Sequence, residues 1–285
     1  MTTTDFVTCK IMGGLGNQLF QIATALAYGW QHDVPVVFEA IKSSESIFEN
    51  RPTYWQSLFH QLQTRNTLNI NVATTYKHPQ FSYSPIPKIP APVLLEGYFQ
   101  SYKFFHKYRD QLLKTICLPT QTIADIQTTY HSLLALDNKI GIHIRRGDYL
   151  KLKHYHTVLS QTRYYQKALL QFKQCPNLII FSDDIEWCKK EFKTLTTPWP
   201  QKLFKSKVEQ YHQKHRCHFV EDTDIVEFFL LSQCNHHIIA NSSFSWWAAY
   251  LSPKQGNVVA PKKWFGRKTD ADSTKDIYLP HWTII

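Results

Sequence analysis

Phe6-Val7-Thr8-Cys9-Lys10-Ile11-Met12-Gly13-Gly14-Leu15-Gly16-Asn17-Gln18 reads as a short apolar strand, Phe6 to Met12, running into a glycine cluster. Beyond it, Leu19, Ile22, Ala23, Leu26 and Trp30 recur at helical spacing on one face. Val34 to Phe38 is a second β-like run. Strand, glycine-rich turn, helix, strand is the order of a βαβ unit, and it sets the expected class as α/β.

Working outward, five prolines between Pro79 and Pro92 mark an irregular loop. A strand is expected at Val93 to Gly97, then helical segments around Ser101–Lys114 and Gln121–Leu136. The second half alternates more regularly. Ile140, Ile142 and Ile144 interleave with Gly141, His143 and Arg145, as in a strand that delivers polar groups to a site. Arg163 to Phe172 is helical in pattern, and Leu178-Ile179-Ile180-Phe181 is a buried-strand run. Ser182 and the acids after it suit the start of a helix through Phe192. Helix Asp224–Cys234, strand His237–Ala240, helix Phe244–Leu251 and strand Asn257–Ala260 complete the series. The expectation is two Rossmann-like halves, residues 1–136 and 137–285, with the final residues packing back on the first half.

At 285 residues there is ample chain for two modest domains, and 43% hydrophobic content supplies their cores. No apolar run approaches the roughly 18 residues that span a bilayer. Met1-Thr2-Thr3-Thr4-Asp5 has neither the basic start nor the apolar stretch of a secretory signal. The expected location is cytoplasmic, with room for peripheral association with a membrane. Cysteines at 9, 117, 175, 188, 217 and 234 are scattered without a CxxC pair and read as buried thiols. Lys and Arg outnumber Asp and Glu by 32 to 22, a formal charge of +10, so an anionic partner fits. The basic residues are dispersed, which favours a phosphate-bearing small substrate over nucleic acid.

The Gly13–Gln18 turn is neither a dinucleotide fingerprint nor a P-loop. Leu19 occupies the third glycine position of the former, and no Gly-Lys-Ser/Thr follows. It suits either a tight turn or the approach of a phosphate or sugar to backbone N–H groups. His143-Ile144-Arg145-Arg146-Gly147-Asp148-Tyr149 places two arginines after a strand, where α/β sheets bind ligands. A guanidinium there can hold two phosphate oxygens in a planar fork. Adjacent strand residues face opposite ways, so one arginine meets ligand and the other a structural carboxylate; spacing does not say which.

Asp183 and Asp184 suit ribose hydroxyls, a guanine edge, the arginines, or helix capping by Ser182 and Asp183. Asn241-Ser242-Ser243-Phe244-Ser245-Trp246-Trp247 is a polar turn opening a helix, suited to an anion. Its tryptophans read as core ahead of a sugar-stacking platform. Asn241 also heads a glycosylation sequon, and a glycan inside such a motif would be out of place. Asp222-Thr223-Asp224 and Asp270-Ala271-Asp272 have the Asp-x-Asp pattern that holds hard cations in metal-dependent sugar transferases. The second lies in a polar tail. Cys234 and His236-His237 lack the partners of a zinc site.

As a set, GGLGNQLFQIATALA from Gly13, GYFQSYKFF from Gly97, HIRRGDY from His143, FSDDIEWCK from Phe181 and IIANSSFSWWAAYL from Ile238 resemble the bacterial α-1,2-fucosyltransferases, glycosyltransferase family 11. The resemblance implies a GT-B fold, two Rossmann-like domains facing a central cleft, with the first mainly on the acceptor side. It implies GDP-fucose on the second domain, an acceptor ending in galactose, and no metal or other cofactor. Arg145 would take the β-phosphate and His143 would lie beside the nucleotide. Ser242 and Ser243 would sit near the pyrophosphate, Asp183 and Asp184 would orient the arginines or the nucleoside, and Asn17 and Gln18 would face donor and acceptor. Glu227 stands where the family usually carries aspartate, five residues before Ser232. Either its longer side chain reads guanine from a different position or Asp224 takes the task.

The implied reaction is inverting transfer to a galactoside 2-hydroxyl, driven by stabilising charge on the departing diphosphate. Asp148 is the candidate base, with His154 and His156 behind it. Two rivals stand beside this reading. One is a metal-dependent transferase using Asp222 and Asp224, the other a non-catalytic sugar-nucleotide or nucleic-acid binding protein.

Overall fold

The computed structural model describes residues 5–41, 43–44, 51–66, 68, 73–173, 177–193, 216–266 and 274–285. Cys175 and the Asp270-Ala271-Asp272 string lie outside the described residues. The chain forms two compact units, 1–124 with 270–280, and 125–269 with 281–285.

In the first unit, strand Val7–Cys9 pairs in parallel with Val93–Glu96, which pairs in parallel with Thr74–Lys77. On the other side of Val7 runs the Pro35–Val37 segment, joined by Val7 N–H to Pro35 O (2.8 Å) and Val37 N–H to Val7 O (2.9 Å). The strand expected from Val34 to Phe38 is shorter and later, Phe38–Glu39, and pairs with Thr64–Arg65. Helix Leu15–His32 forms as its spacing predicts, but it is buried on nearly every side from Leu15 to Gly29. Its polar residues Gln18, Gln21 and Thr24 therefore lie inside the protein, where their hydrogen-bonding groups need protein partners. The helix expected over Ser101–Lys114 is broken into two 3-10 turns and helix Arg109–Thr115. Phe105 between the turns is fully buried at φ −137°, outside the helical range.

Residues 274–280 return to this unit around Asp276, which is buried, whereas the final residues 281–285, expected to pack on the first half, belong to the second unit. Its backbone oxygen accepts from Ser101 Oγ (2.9 Å), its carboxylate accepts from Tyr83 N–H (3.1 Å), and it pairs with Lys103.

The second unit holds a six-stranded sheet, parallel throughout. Its order is Arg216–Phe219, Asn177–Ser182, Lys139–Ile144, His236–Ile238, Val258–Ala260, Thr283–Ile284. Numbered within the unit, that order is 3-2-1-4-5-6, the doubly wound Rossmann arrangement. Lys139–Ile144 and Asn177–Ser182 are buried at every residue, as central strands covered on both faces must be. Ile140, Ile142, Ile180 and Ile238 meet in the core, and Trp246 and Trp247 are fully buried, confirming the core reading of that pair. The order reverses between strands Lys139–Ile144 and His236–Ile238. Ligands of open α/β sheets bind outside the carboxyl ends at such a reversal. No helix among the described residues is long and apolar enough to cross a membrane.

Candidate active site

Arg145 and Asn241 are delivered by the two strands that flank the reversal. Register pairs His143 with Phe181 and Ile144 with Ser182, so the Arg145 turn and the Asp183 turn emerge side by side. Arg145 is held from three directions. Its guanidinium meets Asp148 at 2.7 Å and Asp183 at 3.2 Å, and lies 5.6 Å from the Tyr149 ring centre. About a quarter of the side chain stays exposed (26%), so the cation is oriented but accessible.

Arg146 faces elsewhere and has a structural role. Its Nε donates to Asp184 (2.8 Å), its guanidinium lies 4.3 Å from the Trp187 ring centre, and Nη1 donates to Ser160 at 3.4 Å. Both arginines follow the strand, which ends at Ile144, so their partners and not strand alternation separate them: Arg146 is tied into the frame, and Arg145 keeps about a quarter of its side chain exposed.

Of the alternatives open to the two acids, the structure shows bracing. Asp183 accepts from Arg146 N–H (2.8 Å) and Gly147 N–H (3.0 Å), fixing the turn as well as Arg145. The helix cap expected of Ser182 and Asp183 is made instead by Ser182 and Asp184. Ser182 Oγ accepts from Asp184 N–H (3.0 Å), and Asp184 accepts from Trp187 N–H (3.3 Å). Asp183 is unavailable for capping because the arginine turn has claimed it.

His143 is buried, its ring 5.2 Å from Phe244, and its Nδ1 has no protein partner. Burial first, and the Arg145 charge second, push its pKa down to about 3, so the ring is neutral in ordinary buffers. Asn241 is a brace rather than a surface group. Nδ2 donates to Thr157 O (3.0 Å) and Trp264 O (2.9 Å), and its backbone oxygen accepts from Tyr149 OH (2.9 Å). Its burial also closes the sequon to a glycan. Ser242 begins helix Ser243–Leu251 without a side-chain cap, so no hydroxyl of its own blocks the positive helix end. The Tyr149–Asn241 bond and the His143–Phe244 contact tie this helix start to the arginine turn.

His156 stacks flat on Tyr149, centres 4.0 Å apart at 4°, and burial lowers its pKa; His154 is exposed. Glu227 lies in the first turn of helix Asp224–Ser232, where its Oε1 accepts from Asp222 N–H (3.3 Å). Burial, then the charges of Asp222, Asp224 and Glu221, raise its pKa to about 7. Asp222 accepts from Tyr130 OH (2.7 Å) and Thr223 N–H (2.6 Å), so both of its oxygens are engaged within the protein.

In the first unit, the turn after Val7–Cys9 is fastened by amides. Gln21 accepts from Met12 N–H (2.9 Å) and donates to Met12 O (3.2 Å). Gln18 Nε2 donates to Gly13 O (2.9 Å) and Pro52 O (2.8 Å). Gln18, expected on the ligand-facing side with Asn17, is instead fully buried and acts as a brace. Asn17 is half-buried, and its Oδ1 accepts from Gln100 Nε2 (2.9 Å). Sequence reasoning missed Tyr149, Trp187, Gln21 and Gln100 as framing residues; only their place inside quoted motifs hinted at them.

The profile of glycosyl transferase family 11 matches residues 6–285. An Escherichia coli alpha-1,2-colitosyltransferase is 27% identical, covering 93% of this chain and 94% of its own. The mouse galactoside 2-alpha-L-fucosyltransferase Sec1 is 26% identical over 96% of this chain and 72% of its own. Among solved structures, the fucosyltransferase NodZ from Bradyrhizobium superposes with a TM-score of 0.54 at 15% identity, covering 88% of this chain and 94% of its own. POFUT1 with GDP gives 0.51 at 12% identity, covering 88% and 95%. The fold is GT-B, and the chain belongs to glycosyl transferase family 11.

Proposed function

We propose that this chain transfers L-fucose from GDP-β-L-fucose to the 2-hydroxyl of a terminal galactoside, with inversion to an α-1,2 linkage and without a metal. The observation that carries the reading is Arg145, an accessible guanidinium fixed by Asp148, Asp183 and Tyr149 at the strand-order reversal. The α-1,2 linkage and galactoside acceptor in the names of relatives spanning most of the chain support the linkage.

In this reading the acceptor oxygen bonds to the anomeric carbon as that carbon's bond to the β-phosphate oxygen breaks. The bonding pair leaves on GDP, and the hydroxyl proton passes to a base. Arg145 and the start of helix Ser243–Leu251 meet the charge that grows on the diphosphate, the part a cation would otherwise play. Neutral His143 offers its buried Nδ1 beside the nucleotide. Glu227, as a carboxylate, accepts the N1–H and N2–H of guanine. Asp148 is the proposed base. It accepts from Arg145 in the free protein, and a diphosphate that takes those N–H groups releases it for the acceptor proton.

The test is GDP release from GDP-fucose in EDTA, screened over lactose, N-acetyllactosamine and other galactosides. Acceptor-dependent release with an α-1,2-linked product is expected. Activity that EDTA abolishes and Mn²⁺ restores overturns metal independence. Turnover of a different sugar nucleotide only, such as one carrying colitose, overturns the donor.

A further inference from the structure

Arg145 has one hold that is not a carboxylate. The carbon of its guanidinium lies 5.6 Å from the centre of the Tyr149 ring. A cation within about 6 Å of an aromatic face is attracted by the quadrupole of the ring. Asp148 and Asp183 orient Arg145 by lending it negative charge, which a diphosphate must displace. An aromatic face orients the cation and leaves its charge for the ligand.

That attraction depends on the tilt of the ring. Tyr149 OH donates to Asn241 O at 2.9 Å, but the phenol oxygen lies on the axis about which the ring turns. The bond fixes the tip and leaves the plane to packing, because the last torsion of an aromatic side chain is broad. His156 sets the plane. Its imidazole lies flat on the phenol, with ring centres 4.0 Å apart and 4° between the planes. Burial lowers its pKa, so at pH 7 and above the ring is neutral and brings no like charge toward Arg145.

The chain on either side of the imidazole is fastened in turn. His156 N–H donates to Leu152 O (3.0 Å), and its backbone forms an antiparallel bridge with Phe265. Gly266 N–H donates to Tyr155 O (2.7 Å), and Thr157 Oγ1 donates to Phe265 O (3.1 Å). Asn241, whose carbonyl holds the tip of Tyr149, also donates from Nδ2 to Thr157 O (3.0 Å). A Cβ on Gly266 would fall 2.6 Å from His154 O, so only glycine lets these two segments come this close. His156 is thus carried on a rigid support, and all of these residues lie within the second unit.

We propose that His156 is a positioning residue for diphosphate binding: its ring locks the plane of Tyr149, and the face of Tyr149 keeps Arg145 aimed when the diphosphate displaces Asp148. This rests on the transferase reading above, and it gives His156 a part other than that of a base.

The test is GDP affinity by calorimetry on the full chain, with GDP-fucose turnover measured beside it. His156→Leu keeps the bulk of the side chain and loses the flat face; His156→Met takes its place if that variant does not fold. Either should bind GDP about five- to tenfold more weakly. His156→Phe restores a flat ring that cannot carry a proton, and it should stay within twofold of wild type in both affinity and kcat. In an Arg145→Ala background, His156→Leu should cost no more than twofold, because its effect passes through Arg145. A His156→Leu protein that binds GDP within twofold of wild type, or that loses as much in the Arg145→Ala background, overturns the proposal. So does His156→Phe with normal affinity and lost turnover, which would make the imidazole a proton carrier. Wild-type protein that binds no GDP overturns the reading beneath it instead.

Discussion

Each unit presents a turn at the carboxyl end of its sheet, and the two are built from opposite materials. The turn at Arg145 is a lattice of charge: Arg145 on Asp148 and Asp183, and Arg146 on Asp184. The turn at Gly13 is fastened by neutral amides, those of Gln18, Gln21 and Asn17 with Gln100. A charged frame gives strong, long-reaching attraction for an anion, but it competes with its ligand, since every carboxylate that orients Arg145 also neutralises it. An amide frame has no such competition and no titration, and it controls direction through which end of each amide is committed.

The sharpest way to break this contrast is Arg145→Ala. Transfer should drop about 10³-fold, while the melting curve stays near wild type because the arginine is partly exposed and its acids can turn to water. Near-normal turnover would remove Arg145 from its role. Asp148→Asn should lower kcat about 10²-fold with GDP affinity retained; a loss of GDP affinity of the same size would mark the carboxylate as a strut for Arg145 alone. Asp183→Ala removes the acceptor of the Arg146 and Gly147 N–H groups. Both lie near solvent, so a stability cost of about 0.5–1.5 kcal/mol is expected in chemical unfolding, together with slower turnover from a loosened Arg145.

On the amide side, a Cβ at Gly14 meets no atom within 4 Å among the described residues, so Gly14→Ala fits there. It should keep the wild-type melting temperature and raise KM about tenfold, a shift of about 1.4 kcal/mol. An unchanged KM would leave the open side of the turn without a ligand. The smallest effect concerns pH. Glu227 has its pKa raised to about 7, and the guanine recognition proposed for it needs the carboxylate. GDP affinity by calorimetry should therefore strengthen several-fold as pH rises from 6 to 8, and Glu227→Gln should flatten that profile. The sign for stability is the reverse. The folded state holds the proton above the ordinary carboxylate range, so this group's contribution weakens between about pH 4.5 and 7, and Glu227→Gln should gain relative stability at pH 8.

Much of the fold was legible in the sequence. Lys139–Ile144 stood out by the alternation of Ile140, Ile142 and Ile144, Asn177–Ser182 by its apolar run from Leu178 to Phe181, and helix Leu15–His32 because its period is long and regular. Strands Thr74–Lys77, Arg216–Phe219 and Thr283–Ile284 escaped notice. They lie at sheet edges, where partly or fully exposed residues need neither apolar runs nor alternation. The site divides in the same way. A candidate phosphate site at the two arginines was readable from their place after a strand, and the resemblance named Arg145, but the tie of Arg146 into the frame rests on Asp184 and Trp187, contacts some 40 positions away. Gln18 and Asn241 read as ligand residues in the sequence because polar side chains in such motifs look exposed in one dimension. Nothing in the local pattern could reveal that a helix buried all round had turned Gln18 inward.

Asp276 has a consequence for how the protein is made. The first unit opens the chain, yet Ser101, Lys103 and Tyr83 wait for a residue that emerges from the ribosome only after nearly all of the second unit. Domains ordinarily fold from the N-terminus as they are synthesised. Here the earlier unit can collapse early but cannot be finished early, and a stop codon just before position 276 should damage the half of the protein that was translated first.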